Sequence, residues 1–163
     1  MKEKTTIHIL WDGPFLTHEL SLLNTSIDYG VYQIYGSHPV YGRDALLYIG
    51  RCREQTFCKP LVQHPWIAAT RNQKKVTFHV GRIANLGSAP NIEISEKMVK
   101  QAEQLLLYAH FPCYNSHKDL SEKQLDQLQD VYVLNWDFHR DLFPEVSGAR
   151  YWRPENLSAI SEK

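Results

Sequence analysis

Hydrophobic residues in this chain fall into several short runs and one longer segment with helical spacing. The short runs are rich in branched and aromatic side chains, which pack well on a pleated surface. They lie at residues 7–11, 29–35, 45–49, 76–83 and 131–134. These five runs are predicted to be β-strands.

Apolar residues recur every three or four positions after Ser95, which predicts one long helix. Ser95 is a suitable N-cap residue, and Phe111-Pro112 is expected to end the helix because proline cannot continue it. The apolar stripe consists of Val99, Ala102, Leu105, Leu106 and Ala109.

Shorter helices are predicted elsewhere. Residues 15–23 carry apolar positions at helical spacing, directly after the turn signature Asp12-Gly13-Pro14. A helix within residues 55–64 is expected to begin near Thr56 or later, because Pro60 lacks an amide N–H and fits only the first turn.

The C-terminal part of the chain has weaker signals. Residues 121–129 open with a Ser-x-x-Gln capping box and predict one more short helix. From residue 135 onward we expect mostly irregular chain, packed by aromatic side chains. These aromatic residues are Trp136, Phe138, Phe143, Tyr151 and Trp152.

These elements predict a single α/β (α+β) domain over residues 1–163. Its centre would be a small, mainly antiparallel, three-stranded sheet flanked by helices. In this hypothesis residues 29–116 form the core, residues 1–28 an N-terminal extension and residues 117–163 an irregular aromatic cap. A hydrophobic content of 43% is enough to build the core without disulfides.

The charge balance argues against a protein-wide attraction to polyanions. Eighteen Lys and Arg residues face eighteen Asp and Glu residues, so any polyanion site must be local. The best local basic patch is the polar loop that holds Arg71, Lys74 and Lys75. Such cations are more often a solvated loop than a nucleic-acid contact.

Cysteine usage indicates a reduced, cytoplasmic setting. Cys52, Cys58 and Cys113 are odd in number and lack the C-x-x-C spacing of a zinc or redox site. The histidines show no zinc-binding spacing either. No window approaches the roughly 18 apolar residues that a membrane span needs, so we expect no membrane association.

Two tyrosine triplets are the most informative motif. Gly30-Val31-Tyr32 and Tyr48-Ile49-Gly50 each lie in a β-rich run, and their phenols are sixteen residues apart. A hairpin of this length can carry both phenols to one sheet face, where they can hold a water molecule and a phosphate. Taken singly, tyrosines in strands are usually core or rim residues.

Two further residues complete a constellation. Glu103 lies at the edge of the helical stripe that faces the sheet, and Asn115 follows in a loop after the helix. Alone, the first is typical of a solvated helix face and the second of a turn. In this order, however, the motifs over residues 29–116 resemble the GIY-YIG nuclease superfamily.

The resemblance implies a divalent-metal-dependent endonuclease that hydrolyses DNA phosphodiesters with one metal ion. Glu103 would ligate Mg²⁺ or Mn²⁺, and Tyr32, its pKa lowered by the metal, would orient or deprotonate the attacking water. Tyr48 would hydrogen-bond the phosphate or that water, and Asn115 would brace the loop. His64 would assist proton transfer or contact the phosphate, although a histidine there can also simply cap the short helix.

The implied partner is duplex or branched DNA, with RNA as the alternative. It would lie along a groove bordered by six cations, which neutralise phosphates. These are Arg51, Arg53, Lys59, Arg71, Lys74 and Lys75.

One departure from the family pattern matters. The family usually has an arginine four residues before the position of His64, where this chain has Pro60. Arg51, Arg53 or Lys59 could replace that cation, or the enzyme could be weak. The alternative is a catalytically impaired fold that acts as a nucleic-acid-binding or protein-interaction module.

Overall fold

The computed structural model describes residues 4–53, 55–64, 76–84, 92–115, 124 and 126–150. Within them lie two α-helices, α1 (Cys58–Val62) and α2 (Ile92–His110), and two 3-10 helices, Thr17–Leu22 and Gly148–Arg150. The strands are β1 (Thr5–Phe15), β2 (Gly30–His38), β3 (Gly42–Arg51), β4 (Thr77–Ala84), β5 (Val131–Asp137) and β6 (Glu145–Ser147).

All six strands belong to one mixed sheet in the order β3-β2-β4-β1-β5-β6, which curls into a half-barrel. β1 and β5 are parallel, and the other neighbours are antiparallel. The prediction of a three-stranded central sheet flanked by helices is therefore wrong. The three expected strands are neighbours, but they form only half of the sheet.

The predicted N-terminal extension is a central strand. β1 lies between β4 and β5, pairing His8 with Ala84 and Thr5 with Val131. It continues through the predicted turn to Phe15, with an irregularity in register after Asp12. The local alternation of the run indicated a strand, but its partners lie more than sixty residues away, beyond the reach of any local pattern.

The predicted irregular cap also contributes to the sheet. β5 continues past residue 135, and Asn135 is buried, accepting a 2.8 Å hydrogen bond from the Trp11 indole and donating one to the Phe143 carbonyl. Its side chain thus stabilises the turn between β5 and β6. Of the predicted helix at residues 121–129, Gln124 and Asp126 are helical and residues 127–129 form a turn. Residues 121–123 and 125 lie outside the described residues, as do Tyr151 and Trp152.

The three other predicted helices are present, but they differ from the predictions in type or in where they begin. The segment expected at residues 15–23 is the 3-10 helix Thr17–Leu22. α1 begins at Cys58, so Pro60 lies in its first turn, as predicted. α2 begins at Ile92, and Ser95 therefore lies within the helix and is not its N-cap.

The sheet carries a hydrophobic core on each face. On one face the α2 stripe packs against β1 and β5, with Val99, Leu105 and Leu106 buried against Ile7 and Ile9. The predicted apolar stripe is therefore confirmed. On the other face the 3-10 helix Thr17–Leu22 and α1 cover β2 and β4. α1 and the two strands meet there through Leu61, Tyr32, Ile34, Phe78 and Val80.

A buried ion pair connects the start of β2 to β4. Asp28 is 3% exposed, and its carboxylate lies 2.7 Å from the Arg82 guanidinium and 2.8 Å from both the amide and the hydroxyl of Thr25. Burial alone would raise the pKa of Asp28, but the hydrogen bonds from Thr25 and Arg82 outweigh it and lower that pKa. The pair thus fixes the approach of the chain to Gly30.

We expect Asp28→Asn to lower the free energy of unfolding by about 3 kcal/mol at pH 7, because Arg82 loses its buried counter-charge. Because the pKa of Asp28 is lower in the folded than in the unfolded protein, its carboxylate stabilises the fold at pH values above the unfolded-state pKa. This stabilisation is lost as the pH falls through the folded-state pKa. Urea unfolding at pH 7 and pH 3 measures both effects.

Asp12→Asn is the matched control for this prediction. Asp12 also pairs with Arg82, at 3.3 Å, but its side chain is 52% exposed. The control should change the unfolding free energy by less than about 1 kcal/mol. Equal losses in the two variants would contradict a special role for the buried carboxylate.

In the part of the chain that the structure describes, no helix is both long and apolar enough to cross a membrane. All three cysteines are described, and none forms a disulfide.

Candidate active site

The two motif tyrosines lie side by side at the edge of the sheet. Tyr32 in β2 pairs with Gly50 of β3, so Tyr48, two residues before Gly50, is its diagonal neighbour on the same face. Their ring centroids are 6.2 Å apart. The His64 ring lies 4.6 Å from Tyr48 and 6.4 Å from Tyr32, which brings three predicted residues together.

Steric crowding explains why glycine occupies both motif positions, Gly30 and Gly50. A Cβ on Gly50 would lie 2.5 Å from the Tyr32 Oη and 2.7 Å from the Tyr48 Cε1, so only glycine leaves room for the two phenols. Gly30 has φ of 152°, and a Cβ there would overlap the Gly81 carbonyl oxygen of β4. The triplets are thus a packing solution for two close tyrosines.

Glu103 reaches the same site from the other layer. It lies on α2, which packs against β3, and its Oε2 is 2.7 Å from the Arg51 Nε at the end of that strand. The two side chains are only 20% and 12% exposed, respectively. The carboxylate therefore has a partner, as its position at the edge of the stripe requires.

These groups line one pocket of about 300 Å³. Tyr32, Tyr48, His64 and Glu103 are part of its wall. Four of the five residues proposed from the sequence as catalytic are therefore brought together.

Asn115, the fifth, supports the site and does not line this pocket in the described structure. Its side-chain oxygen accepts the Ile49 N–H at 2.9 Å, and its amide donates to the Ile49 carbonyl at 2.8 Å. β3 is an edge strand, so Asn115 takes the place of a neighbouring strand next to Tyr48. This contact holds the tyrosine-bearing strand in position.

The predicted cations separate into three groups. Arg51 and Arg53 line the pocket. Lys59 is exposed on α1 and is not among the described residues of the pocket wall. Arg71, Lys74 and Lys75 lie outside the described residues.

Sequence reasoning missed several features of this wall. Gln55 and Gln63 line the pocket, and Pro60 lines it too, at the position where the family arginine was expected. The segment from Cys52 to Phe57 folds inward because both residues donate main-chain hydrogen bonds to the chain leading into β2. No residue pattern indicated the glutamines, because these long-range contacts bring them in.

Burial controls the protonation of the aromatic groups. It raises the pKa of Tyr32, and the neighbouring Tyr48 raises it further. Burial also raises the pKa of Tyr48, and Glu103 adds to that shift. Both phenols are therefore protonated at neutral pH. Arg53 lowers the pKa of Tyr32, as expected of a neighbouring cation, but burial outweighs it. The lowering of this pKa by a bound metal ion stays a prediction.

The pKa of the His64 imidazole shifts in the opposite direction to the pKa of the two phenols. Burial lowers the pKa of His64, so the ring is neutral at pH 7 and has a lone pair that can accept a proton. A neutral ring does not supply the positive charge that would interact favourably with the helix dipole.

The pocket has few side chains that could bind a divalent cation. Among the described residues no group of three or more His, Cys, Asp and Glu side chains could hold a metal ion. Glu103 is nevertheless a hard oxygen ligand beside a pocket with room for water. Mg²⁺ usually keeps several waters and uses one or two carboxylates with substrate phosphates, so the residues fit such an ion.

Burial raises the pKa of Glu103, and Arg51 partly counteracts that shift. The guanidinium therefore favours the ionised carboxylate that a metal ion would need. It also occupies one of the two carboxylate oxygens that an ion could use.

Comparison of this chain with protein-family models, with curated proteins and with solved structures identifies no match. The resemblance to the GIY-YIG superfamily therefore rests on the motifs themselves.

Proposed function

We propose that this pocket hydrolyses phosphodiester bonds in DNA with one divalent cation, as the GIY-YIG motifs imply. The observation that carries the proposal is the convergence of two phenols, one neutral imidazole and one carboxylate on a single pocket. RNA is the alternative substrate, because phenols and guanidinium groups bind a phosphate of either polymer.

Each side chain has a role that follows from its protonation. Protonated Tyr32 and Tyr48 donate hydrogen bonds to a phosphate oxygen or to the attacking water. Neutral His64 accepts the proton of that water. Glu103 would hold Mg²⁺ or Mn²⁺, which supplies charge stabilisation at the phosphate when bound.

The pocket also has cations for the substrate. Arg53 is exposed and lines the pocket without an ion pair to Glu103, so it is available to a phosphate of the DNA backbone. Lys59 is exposed on the adjacent helix and would extend this contact. The other predicted DNA contacts, Arg71, Lys74 and Lys75, stay predictions because they lie outside the described residues.

A second candidate function is nucleic-acid or protein binding without catalysis. Two observations favour it: Pro60 stands in the pocket wall at the position of the family arginine, and Arg51 already neutralises Glu103. Such a pocket would still attract a phosphate, because Arg51 and Arg53 outweigh a single carboxylate. It would lack the divalent metal ion and the arginine that phosphodiester hydrolysis needs.

We also propose that the protein acts in the cytoplasm. All three cysteines are free, and Cys52 is fully buried within the core. Free thiols are typical of a reducing compartment, which is where DNA is accessible.

Nicking of supercoiled plasmid in Mg²⁺ or Mn²⁺ tests the proposal. Wild type should nick, and Tyr32→Phe should lower the rate about 10²-fold, because one preorganised donor is lost. Tyr41→Phe is the matched control, since Tyr41 is 69% exposed and contacts His38 away from the pocket. The control should retain the wild-type rate.

The outcomes separate the candidates. Equal nicking by wild type, Tyr32→Phe and Glu103→Ala would point to a contaminating nuclease and reject the enzyme proposal. Absence of nicking together with salt-dependent retardation of DNA in EDTA would favour the binding module. Absence of both would leave a protein-interaction role.

A further inference from the structure

The position of Arg51 conflicts with the simplest form of the proposed site. Its Nε is 2.7 Å from Glu103 Oε2, and both side chains line the pocket. In the proposed function that carboxylate holds the divalent cation. Arg51 occupies one of the two carboxylate oxygens, and a divalent cation at the other would lie close to the guanidinium charge, so the two cations compete for Glu103.

Charge makes this competition strong. With Arg51 on Glu103, the described charges of the pocket wall are two guanidinium groups and one carboxylate. A divalent cation entering that pocket is repelled by Arg51 at close range, in surroundings with less water than the bulk. The pair is mostly buried, so salt screens it less than a surface pair.

Arg51 is also well placed to contact the substrate phosphate. It directly follows Gly50, on the strand that carries Tyr48, and it shares the pocket with Pro60, which stands where a catalytic arginine was expected. Its side chain is long and its guanidinium can bind a phosphate through two parallel hydrogen bonds. The cation missing at residue 60 is therefore available from the opposite wall.

We propose that Arg51 exchanges between two partners: it holds Glu103 when the pocket contains no metal ion, and it turns to the substrate phosphate when an ion takes the carboxylate. This inference rests on the proposed function. It makes Arg51 the replacement for the absent arginine and a competitor for the metal site. Metal affinity of the free protein is then set by how easily Arg51 leaves.

Mn²⁺ binding to the full chain without DNA tests the exchange. Free Mn²⁺ is measured by electron paramagnetic resonance at pH 8. Arg51→Gln should bind Mn²⁺ about tenfold more tightly than wild type, because the competing charge is gone. At saturating Mn²⁺ the same variant should nick plasmid at least tenfold more slowly, because the phosphate loses its cation.

Arg53→Gln is the matched control for charge alone. Arg53 lines the same wall, but it is exposed and is not ion-paired with Glu103. Its removal should change Mn²⁺ affinity less than about threefold, since water screens its charge. Arg51→Met, with an apolar side chain of similar length, should tighten Mn²⁺ binding as Arg51→Gln does, and replaces it if that variant does not fold.

The possible results are distinguishable. Mn²⁺ affinity in the folded Arg51 variants that equals or falls below the wild-type value would overturn the exchange. Equal tightening by Arg53→Gln would do the same, because it would show a general charge effect. Unchanged Mn²⁺ affinity in Glu103→Gln would instead reject Glu103 as the metal ligand, and with it the proposed function.

Discussion

Gly50→Ala should reduce nicking activity at least 10²-fold while the protein remains folded. The added methyl group would lie 2.5 Å from Tyr32 and 2.7 Å from Tyr48, so at least one phenol must leave its position in the pocket. Overpacking of this kind typically costs about 1–3 kcal/mol of stability. Misplacement of a preorganised donor by about 1 Å can cost 10²-fold in rate.

Gly42→Ala is the matched control for this prediction. Gly42 begins the same strand, and a Cβ there meets no atom within 4 Å, but its φ of 83° makes alanine strained by about 1 kcal/mol. The control should therefore lose similar stability and keep its activity. Plasmid nicking and urea unfolding on both variants check this, and equal activity losses would mean that the phenols are not the cause.

Glu103→Gln should abolish metal-dependent nicking, with a loss of about 10³-fold or more. The amide keeps the shape of the side chain but removes the charge that attracts a divalent cation, and charge stabilisation is usually the largest contribution to phosphoryl transfer. Arg51 would also lose its counter-charge, so a lower unfolding midpoint is expected. Rates at several Mn²⁺ concentrations measure whether excess metal restores activity.

Glu96→Gln is the matched control on the same helix. Glu96 lies about two turns before Glu103 and is not among the described residues of the pocket wall. Its rate should stay within about twofold of wild type. Retention of nicking by Glu103→Gln, at the wild-type Mn²⁺ dependence, would remove the carboxylate from the mechanism.

The hairpin geometry could be predicted because it is local. Tyr32 and Tyr48 belong to adjacent strands joined by a short connection, and the strand period of two puts both on one face once Tyr32 pairs with Gly50. The α2 stripe could be predicted for the same reason, since its period lies within a single helix. Glu103 at the edge of that stripe then reaches the same site.

The rest of the sheet could not be predicted, because its pairings are long-range. β6 has three residues, which is too short for a recognisable alternation, and β1 pairs with residues near 84 and 131. A strand pattern specifies which face is buried, but it does not specify the neighbour. The position of β1 between β4 and β5 is decided only when the whole sheet assembles.

Within the site, the roles of titratable groups were the least predictable. Burial raises the pKa of Tyr32 and lowers the pKa of His64, and the sequence does not report burial residue by residue. The Arg51–Glu103 contact joins residues about fifty positions apart. It depends on how α2 crosses the edge strand.

The parallel contact between β1 and β5 has a consequence for synthesis of the chain. Thr5 leaves the ribosome more than a hundred residues before its partner Val131. Until then one edge of the nascent N-terminal strand is unpaired and open to association with other chains. Completion of the sheet is thus expected to wait for synthesis of β5 and to be sensitive to chaperones that shield strand edges.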